Sequence, residues 1–566
     1  MNFSRLSLVP VLLAVVIACG GCAGGLGLVQ TDADRFEDFV ARFVEGTLWE
    51  KEADAPAFGL LRRGADSLRA ARADRALALL AALDTASLTI DQRIDWLQLE
   101  AHFKREIHDT SLRRLERIPL LYLTVGGIYW QVAGDRVPTP RGWERILSTL
   151  EEAPIALKLG RDQLVDPPAL WVDLAANTAR RYEEFLREVL SPKIRTSAPD
   201  SLQARLLPAA DAAAKDLAGY RAFLTDSLTM APEGSWAVGE EYYDWLLREF
   251  HFLPYTASQM IEEGRKIHLA TKQALDSLAR TIDPGRTWKE LVEEMKTHHP
   301  EPYRIMEAYG KESDRARQLI LSRDLITIPP AETLTMVPTP PALRETYAWG
   351  GYGGIEMRDS LMVGRFFVTD IGPEMTQAEM EEKLRTQNTG WLTVIALHEG
   401  YPGHHLQTVY ARNNPRTIRN RLGSTYYGEG WALYCESWMG REGFYVDAWD
   451  SLGWLQMRLW RTARVIIDPS IHTGRMTYEE AVQFFMQEVG LERSAAEAEV
   501  NRYTTWPTQA PSYIIGWLEI ERLKEEVMHR LGPGFRERTF LEHVLSIGSL
   551  PLELMKRGVR ARYGFE

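Results

Sequence analysis

The sequence is poor in cysteine, which excludes disulfide-based stability. Of the three cysteines in its 566 residues, Cys19 and Cys22 lie close to the N-terminus. Cys435 is therefore alone in the rest of the chain, where no internal disulfide can form and stability must come from a hydrophobic core. Because Cys435 lies in an apolar helical pattern, we expect a small core residue rather than a nucleophile.

Basic excess and long apolar runs are also missing. The formal net charge is −12, so no surplus of lysine and arginine is available to neutralise phosphates, and nucleic acid is not expected as the main partner. Beyond the N-terminus no segment reaches the 18 or so consecutive apolar residues of a membrane-spanning helix. The remaining composition, 45% hydrophobic and 25% charged, is typical of a soluble globular protein.

The N-terminal 25 residues have the features of an export signal. Arg5 provides positive charge, and residues 6–18 form an apolar segment too short to span a bilayer comfortably. The run Val16-Ile17-Ala18-Cys19 resembles the lipobox of bacterial lipoproteins, which implies lipidation of Cys19 as the only membrane attachment. Gly20 follows, where an Asp would favour the inner membrane, so we expect an outer-membrane lipoprotein facing the periplasm. A plain cleaved signal peptide is the alternative.

The predicted fold class is mainly α with a small β-sheet. Residues 26–320 read as successive helices, with apolar residues recurring at helical spacing. Short β-like runs closed by prolines follow at 325–330 and 333–338, and further strand candidates lie at 346–354 and 364–369. The pattern is helical again from residue 377 to the C-terminus. A small sheet is therefore expected directly before the helix that ends near residue 399.

The stretch His398-Glu399-Gly400-Tyr401-Pro402-Gly403-His404-His405 is the strongest candidate for chemistry. Imidazoles hold zinc, and an adjacent Glu can act as general base, but Pro402 replaces the second histidine of the usual H-E-x-x-H motif. Since Pro402 cannot continue a helix, we expect a break at Gly400-Tyr401 and a new helix from Pro402. In one unbroken helix His398 and His404 would be about 9 Å apart along the axis, too far to share a metal. His404 is the preferred second ligand and His405 the reserve.

A third ligand is expected downstream, with water at the fourth position. Glu429 follows His404 by 25 residues in the run Glu429-Gly430-Trp431-Ala432, and Glu436 lies two helical turns later on the same face. Glu429 is the preferred ligand. Glu436 could orient a histidine or could itself bind the metal.

These motifs together resemble the bacterial family called domain of unknown function 885 (DUF885), which is grouped with gluzincin zinc metallopeptidases. The segments at 239–243, 468–472 and 502–510 fit the same family. The resemblance implies a helical fold of the oligopeptidase type with a deep channel, of which residues 26–320 form one wall and residues 321–566 the catalytic part. One departure is Asp468-Pro469, where the family pattern has Asp followed by Thr and Gly in the loop that presents His472.

Other side chains are candidates for assisting the reaction. His472, Tyr503 and Tyr513 could donate to an oxyanion. The arginines at 461, 464 and 502 could bind a peptide carboxylate, with structural salt bridges as the alternative. Tyr352, in the glycine-aromatic stretch, could contact substrate, since glycines in a strand often mark close approach of a ligand. His251, His298 and His299 are expected to be surface or structural residues.

The sequence thus predicts a Zn²⁺-dependent peptidase, with Glu399 as general base and then general acid. The deep channel that the resemblance implies would favour short peptides over folded proteins. Its metal ligands would be His398, His404 and Glu429. A zinc hydrolase of esters or small amides is one alternative, because the same kind of site serves several acyl transfers. A non-catalytic envelope binding protein is another, although it predicts a missing ligand or base. The oligomeric state stays open.

Overall fold

The computed structural model describes residues 30–48, 61, 64–132, 137–232, 234–339, 349–372 and 375–566. The predicted signal segment lies outside these residues. Within them the chain is mainly helical with one small sheet, so the predicted fold class is confirmed. No helix in this described part is long and apolar enough to cross a bilayer.

Thirteen α-helices precede the sheet in the described part of the chain. They are α1 (Asp32–Glu45), α2 (Ala65–Ala81), α3 (Ile90–His108), α4 (Arg114–Arg117), α5 (Gly126–Val132), α6 (Pro140–Gln163), α7 (Ala169–Glu184), α8 (Ser191–Ser197), α9 (Asp200–Asp226), α10 (Glu240–Trp245), α11 (Ala257–Ile282), α12 (Trp288–Met295) and α13 (Ile305–Ser322). Two π-helical segments, Phe185–Leu190 and Leu246–Phe250, extend α7 and α10.

Three strands follow: β1 (Glu332–Pro338), β2 (Gly350–Arg358) and β3 (Leu361–Val368). The order in the sheet is β1-β3-β2, in which β3 pairs parallel with β1 and antiparallel with β2. A small sheet before the motif helix is therefore confirmed. Residues 325–330, however, form no strand, so that prediction is wrong; the two prolines at its end remove the amide donors that a ladder needs.

The remaining helices follow the sheet. They are α14 (Gln377–Thr386), α15 (Thr389–Glu399), α16 (His404–Arg412), α17 (Ile418–Leu422), α18 (Thr425–Arg441), α19 (Ala448–His472), α20 (Tyr478–Phe484), α21 (Arg493–Thr505), α22 (Ser512–Leu531), α23 (Glu537–Ser546) and α24 (Leu552–Arg562), with a π-helical segment Phe485–Val489 after α20.

Helix α15 lies at the centre of the molecule. Every residue from Gly390 to His398 is buried, which a helix tolerates only where neighbours cover all its faces. Those neighbours include α13, α18 and α19. Two large apolar clusters meet here, since Leu397 belongs to one and Ala396 to the other. Titratable groups at the C-terminal end of α15 are therefore held in a water-poor interior.

Helix α3 also reaches this interior from the N-terminal half of the chain. It begins at Ile90 because Thr89 and Gln92 form a capping box, in which each side chain accepts a hydrogen bond from the other's backbone N–H. Ile94 packs in the same apolar cluster as Leu397. Asp95 is fully buried and accepts hydrogen bonds from Arg416 and Arg419, which fixes α3 against α17 and the residues just before it.

Candidate metal centre

The chain folds back sharply between α15 and α16. Helix α15 ends at Glu399 and α16 begins at His404, so the predicted break at Gly400-Tyr401 is confirmed. The predicted restart at Pro402 is wrong by two residues: Pro402, after a cis peptide bond, lies in the turn, and Gly403 is the N-cap. A Cβ on Gly403 would lie 1.9 Å from the carbonyl oxygen of His398, so only glycine permits this close return.

The fold-back brings His398 and His404 onto one carboxylate. The Nε2 atoms of His398 and His404 lie 3.4 Å and 3.3 Å from Oε2 of Glu429. The imidazole rings are 4.9 Å apart and nearly perpendicular. One ligand atom from each of these three residues lies within 4.8 Å of the other two. This separation suits ligands of one tetrahedral zinc, for which bonds near 2.0–2.1 Å place donors roughly 3–3.5 Å apart.

Helix packing positions Glu429. Helix α18 crosses α22 at Gly430 and Gly516, where a Cβ on Gly430 would meet the backbone of Gly516 at 2.5 Å. The two backbones therefore touch directly, next to Glu429. The indole Nε1 of Trp431 donates to the carbonyl of Pro402 at 3.0 Å and ties α18 to the fold-back.

Glu436 orients His398 from behind. It is fully buried, and its Oε1 accepts a hydrogen bond of 2.8 Å from Nδ1 of His398. In the neutral imidazole that a metal would need, this bond keeps the proton on Nδ1 and leaves Nε2, which faces Glu429, free to bind. Of the two roles open to Glu436, the structure places it in the orienting one rather than among the three converging ligand atoms.

His405, the reserve ligand, faces away from this cluster. Its Nε2 lies 2.7 Å from Oε2 of Glu332 on β1, and its Nδ1 lies 3.1 Å from the hydroxyl of Tyr352 on β2. Both ring nitrogens are thereby occupied, and the ring is fully buried. The structure therefore brings His404, and not His405, to His398. One residue along a helix turns a side chain by about 100°, which explains the difference.

Glu399 is held beside the cluster by the sheet. The backbone N–H of Tyr352 donates to Oε2 of Glu399 at 2.8 Å, which leaves Oε1 available. The carboxylate also raises the pKa of Tyr309, a shift in which burial is the larger cause. Tyr352 uses its amide to place Glu399 and its hydroxyl to hold His405, and its predicted contact with substrate stays a prediction.

Carboxylates dominate the electrostatics of the cluster. Burial alone would lower the pKa of His398, but Glu429 and Glu436 outweigh it and raise the pKa to about 9. Burial would raise the pKa of Glu429, yet His404 and His398 hold it well below its usual range. The cluster thus favours positive charge between its three donor atoms.

The donor set fits a zinc ion. Oε2 of Glu429 is buried and accepts no hydrogen bond from any described residue, although both Nε2 atoms face it. An unpartnered buried carboxylate oxygen is costly unless a cation or proton satisfies it. Two neutral imidazoles and one carboxylate are a ligand set typical of catalytic zinc.

Several predicted assisting residues are engaged elsewhere. Glu499 forms ion pairs with Arg464 at 3.0 Å and with Arg502 at 3.1 Å, and it accepts a hydrogen bond from the hydroxyl of Tyr503. These two arginines lower the pKa of Glu499 to about 2 against the opposing effect of burial. Arg461 pairs with Glu436 at 3.2 Å. The structure thus gives Arg461, Arg502 and Tyr503 partners within the protein, and their predicted roles toward substrate and oxyanion stay predictions.

His472 lies apart from the cluster formed by His398, His404 and Glu429. It is the last residue of α19, not part of a loop, and Pro469 lies inside that helix. Its Nε2 is 2.9 Å from the carbonyl oxygen of Tyr503, and its ring packs against Trp236 and Tyr243. Burial lowers its pKa to about 4. His472 is thus a buried neutral histidine, and its oxyanion role stays a prediction.

Tyr513 is the predicted oxyanion donor that does lie at the cluster. Its ring stacks on His398 with a centroid distance of 6.0 Å and an interplanar angle of 14°. The guanidinium of Arg464 covers the same ring at 4.5 Å. Burial, followed by the charge of Glu429, raises the pKa of Tyr513 to about 12, so the phenol carries its proton at neutral pH.

A cavity of about 450 Å³ adjoins the cluster, because Gly428 and Glu429 form part of its lining. Helix α3 supplies Gln98, His102 and Arg105 to the same lining. Sequence reasoning missed these residues. Their spacing, i, i+4 and i+7, places three polar side chains on one helix face, and that signal was available. His251, expected to be structural, also lines the cavity while bonding Thr508 at 2.9 Å.

The comparisons with known proteins point to a bacterial family. A family profile described as "Bacterial protein of unknown function (DUF885)" matches residues 58–559. No curated protein matches the chain significantly. A putative lipoprotein of unknown function from Shewanella oneidensis aligns over 92% of this chain and 99% of its own, with a TM-score of 0.74 and 21% identity.

Two further solved structures align with most of the chain. A putative lipoprotein from Colwellia psychrerythraea aligns over 94% of this chain and 100% of its own, with a TM-score of 0.73 and 15% identity. An M32 carboxypeptidase from Deinococcus radiodurans R1 covers 94% of this chain and 98% of its own with 14% identity, but its TM-score is only 0.38. The similarities to the two lipoproteins, at 21% and 15% identity, concern fold alone.

Proposed function

Since the chain belongs to the DUF885 family of bacterial proteins of unknown function, its activity must be argued from its site, and we propose that it is a zinc-dependent peptidase. The observation that carries the proposal is the convergence of His398, His404 and Glu429, with Glu399 directly after the first of them. An adjoining cavity of about 450 Å³ has the size of a small-ligand site.

His398, His404 and Glu429 would hold the metal. A zinc ion there would supply a Lewis acid that polarises a carbonyl oxygen and makes water more acidic. Glu399 accepts a proton from the water molecule that attacks the peptide carbonyl, and returns it to the leaving amine nitrogen as the C–N bond breaks. Tyr513 offers its phenolic hydrogen to the carbonyl oxygen as negative charge develops there.

The test compares wild type with Glu399→Gln. Both proteins should bind one zinc per chain, because Glu399 is not among the converging donor atoms. Cleavage of a peptide library should fall by at least about 10²-fold in the variant, which keeps the shape of the side chain but cannot take a proton. Glu525→Gln, at an exposed position of α22, is the matched control and should cleave like wild type.

Two results would refute the proposal. One is wild-type protein that carries no stoichiometric zinc after metal analysis. The other is an unchanged cleavage rate in Glu399→Gln. Hydrolysis of small esters with no cleavage of any library peptide would point to a different acyl substrate for the same site.

We also propose that the protein is exported and tethered by a lipid on Cys19. The lipobox-like run before Cys19 supports this, and two structurally similar proteins are described as putative lipoproteins. Cys19→Ser should move the protein from the membrane fraction to the soluble fraction of a bacterial host. Incorporation of labelled palmitate that persists in the variant would refute the assignment to Cys19.

A further inference from the structure

One face of α3 forms a wall of the cavity that adjoins the cluster of His398, His404 and Glu429. Gln98, His102 and Arg105 line the cavity together with Gly428 and Glu429 of α18. Burial, followed by the nearby guanidinium of Arg105, lowers the pKa of His102 to about 4, so this histidine is neutral at pH 7. The face therefore presents one amide, one neutral ring and one permanent positive charge.

Gln98 has an unsatisfied amide in this wall. Its side chain is only 4% exposed, yet neither Oε1 nor Nε2 has a hydrogen-bond partner among the described residues. Burying both a donor and an acceptor without partners costs free energy, and native proteins rarely leave such a group unexplained. A ligand that offers one acceptor and one donor close together, as a peptide bond does, would satisfy both atoms. On the same lining, the hydroxyl of Ser424 is also buried and unpartnered.

Arg105 gives the cavity its charge. The ion pair of its Nε with Asp109 is long, at 3.6 Å, and its two terminal nitrogens donate no hydrogen bond to any described residue. Apart from Glu429, the described lining of this cavity contains no carboxylate. A neighbouring cavity of about 330 Å³ shares Arg105 and Trp506, and adds two more arginines, Arg114 and Arg117, against the one acid Asp109. An anionic group is favoured here, and a terminal amine is not.

We propose that this α3 face is the substrate-binding wall of the site, where Gln98 pairs with a main-chain amide of a short peptide and Arg105 with its C-terminal carboxylate. The proposal rests on the peptidase function argued above and makes the enzyme one that acts near a free carboxyl terminus.

The separation of Gln98 and Arg105 along α3 matches the length of a peptide of about three residues. Gln98 and Arg105 are seven residues apart on α3, which corresponds to about 10.5 Å along the helix axis. Three extended residues span at most about 10–11 Å. Trp506, which is 49% exposed, lines both cavities and offers an aromatic surface where they meet.

The test measures binding rather than turnover. Trialanine and trialanine amide differ only in the terminal carboxylate, and calorimetry with the full-length Glu399→Gln protein avoids cleavage of either. Trialanine should bind at least about tenfold more tightly than the amide, since charge-assisted bonds to guanidinium are strong. Arg105→Met should abolish that difference, and Arg105→Lys should restore part of it. Gln98→Met should weaken both peptides by a similar factor.

Arg93→Met is the matched control, because Arg93 is exposed on the same helix and lines a different cavity. It should leave both affinities unchanged, and thermal unfolding should show that all variants are folded. Equal affinity for the acid and the amide would overturn the proposal, as would a preference that survives in Arg105→Met.

The two proposals fail in different ways. If trialanine is preferred through Arg105 but wild type cleaves no peptide, the binding wall stands and the peptidase function falls. If wild type cleaves free and amidated peptides at a ratio that Arg105→Met does not alter, the peptidase stands and the binding wall falls.

Discussion

Glu436 shows how a single buried carboxylate can set the geometry of the site. Its Oε1 receives Nδ1 of His398 at 2.8 Å and Nη2 of Arg461 at 3.2 Å. The arginine balances the buried charge, and the histidine is fixed in one tautomer with Nε2 directed at Glu429. A metal ligand held in this way needs no reorientation when the ion binds.

Glu436→Gln should weaken zinc binding by about 10–100-fold, the usual loss when a group behind a ligating histidine is altered. The amide can still accept a hydrogen bond but no longer carries the charge that makes His398 a better ligand. Zinc affinity is measured by competition with a chromogenic chelator. Glu525→Gln serves as the control, and equal affinities in the two variants would contradict the orienting role.

Local sequence was enough to single out some residues of the candidate site, and the reason is physical. His398, Glu399 and Glu429 lie in short motifs on helices, where chemistry and spacing are encoded together. The pairings of Arg461 and Arg502 were not predictable, because Glu436 and Glu499 reach them through tertiary packing. The spacing of Gln98, His102 and Arg105 on one face of α3 was readable, but their position beside a motif some 300 residues later depends on the same tertiary packing.

At the scale of elements, the fold-back between α15 and α16 brings together two histidines that a regular helix would hold apart. It shortens the path between His398 and His404, so that two rings share one carboxylate. The break was predictable from Pro402. The exact start of α16 was not, because it depends on the contact between Gly403 and the end of α15.

Gly403→Ala should destabilise the protein by roughly 1–3 kcal/mol or more, as overpacking of a close contact does. The new methyl would meet the His398 carbonyl, so zinc affinity should fall along with stability. Urea unfolding with zinc titration checks both. Gly127→Ala is the control, since a Cβ there meets nothing within 4 Å and alanine favours the helix. A Gly403→Ala protein with native stability and zinc affinity would show that the fold-back can relax.

At the scale of the whole molecule, buried polar groups tie distant segments together. Asp468 on α19 accepts a hydrogen bond from the hydroxyl of Tyr243 on α10 at 2.5 Å and another from the amide of Thr508 at 3.0 Å. Its Oδ2 is buried and has no hydrogen-bond partner among the described residues. Burial is the main cause that raises the pKa of Asp468 from 3.8 to about 7, against the opposing effect of these hydrogen bonds.

This shift predicts how stability depends on pH. Between pH 4 and pH 7 the folded state holds a proton on Asp468 that the unfolded state has released, so the free energy of unfolding falls as pH rises. One pKa unit corresponds to about 1.4 kcal/mol, so the free energy of unfolding should fall by a total on the order of 4 kcal/mol across this pH range. Asp468→Asn should remove this contribution, which urea unfolding at pH 5 and pH 8 would detect.

The comparison uses the change in the free energy of unfolding between pH 5 and pH 8, because Asp468→Asn also alters a hydrogen bond at every pH. His472, whose depressed pKa acts in the opposite direction over the same range, is present in both proteins and cancels in the difference. Parallel stability curves for wild type and Asp468→Asn would contradict the assignment.

The burial of Cys435 has a practical consequence. Its side chain is fully buried, and burial raises the pKa of its thiol well above the ordinary value, so the reactive thiolate is suppressed. A protein that starts after Cys22 should therefore stay unreacted with maleimide under native conditions. A cysteine introduced at exposed Trp506 would then be the sole position to take a fluorophore, and its emission would report peptide entering the cavity without any background label to subtract.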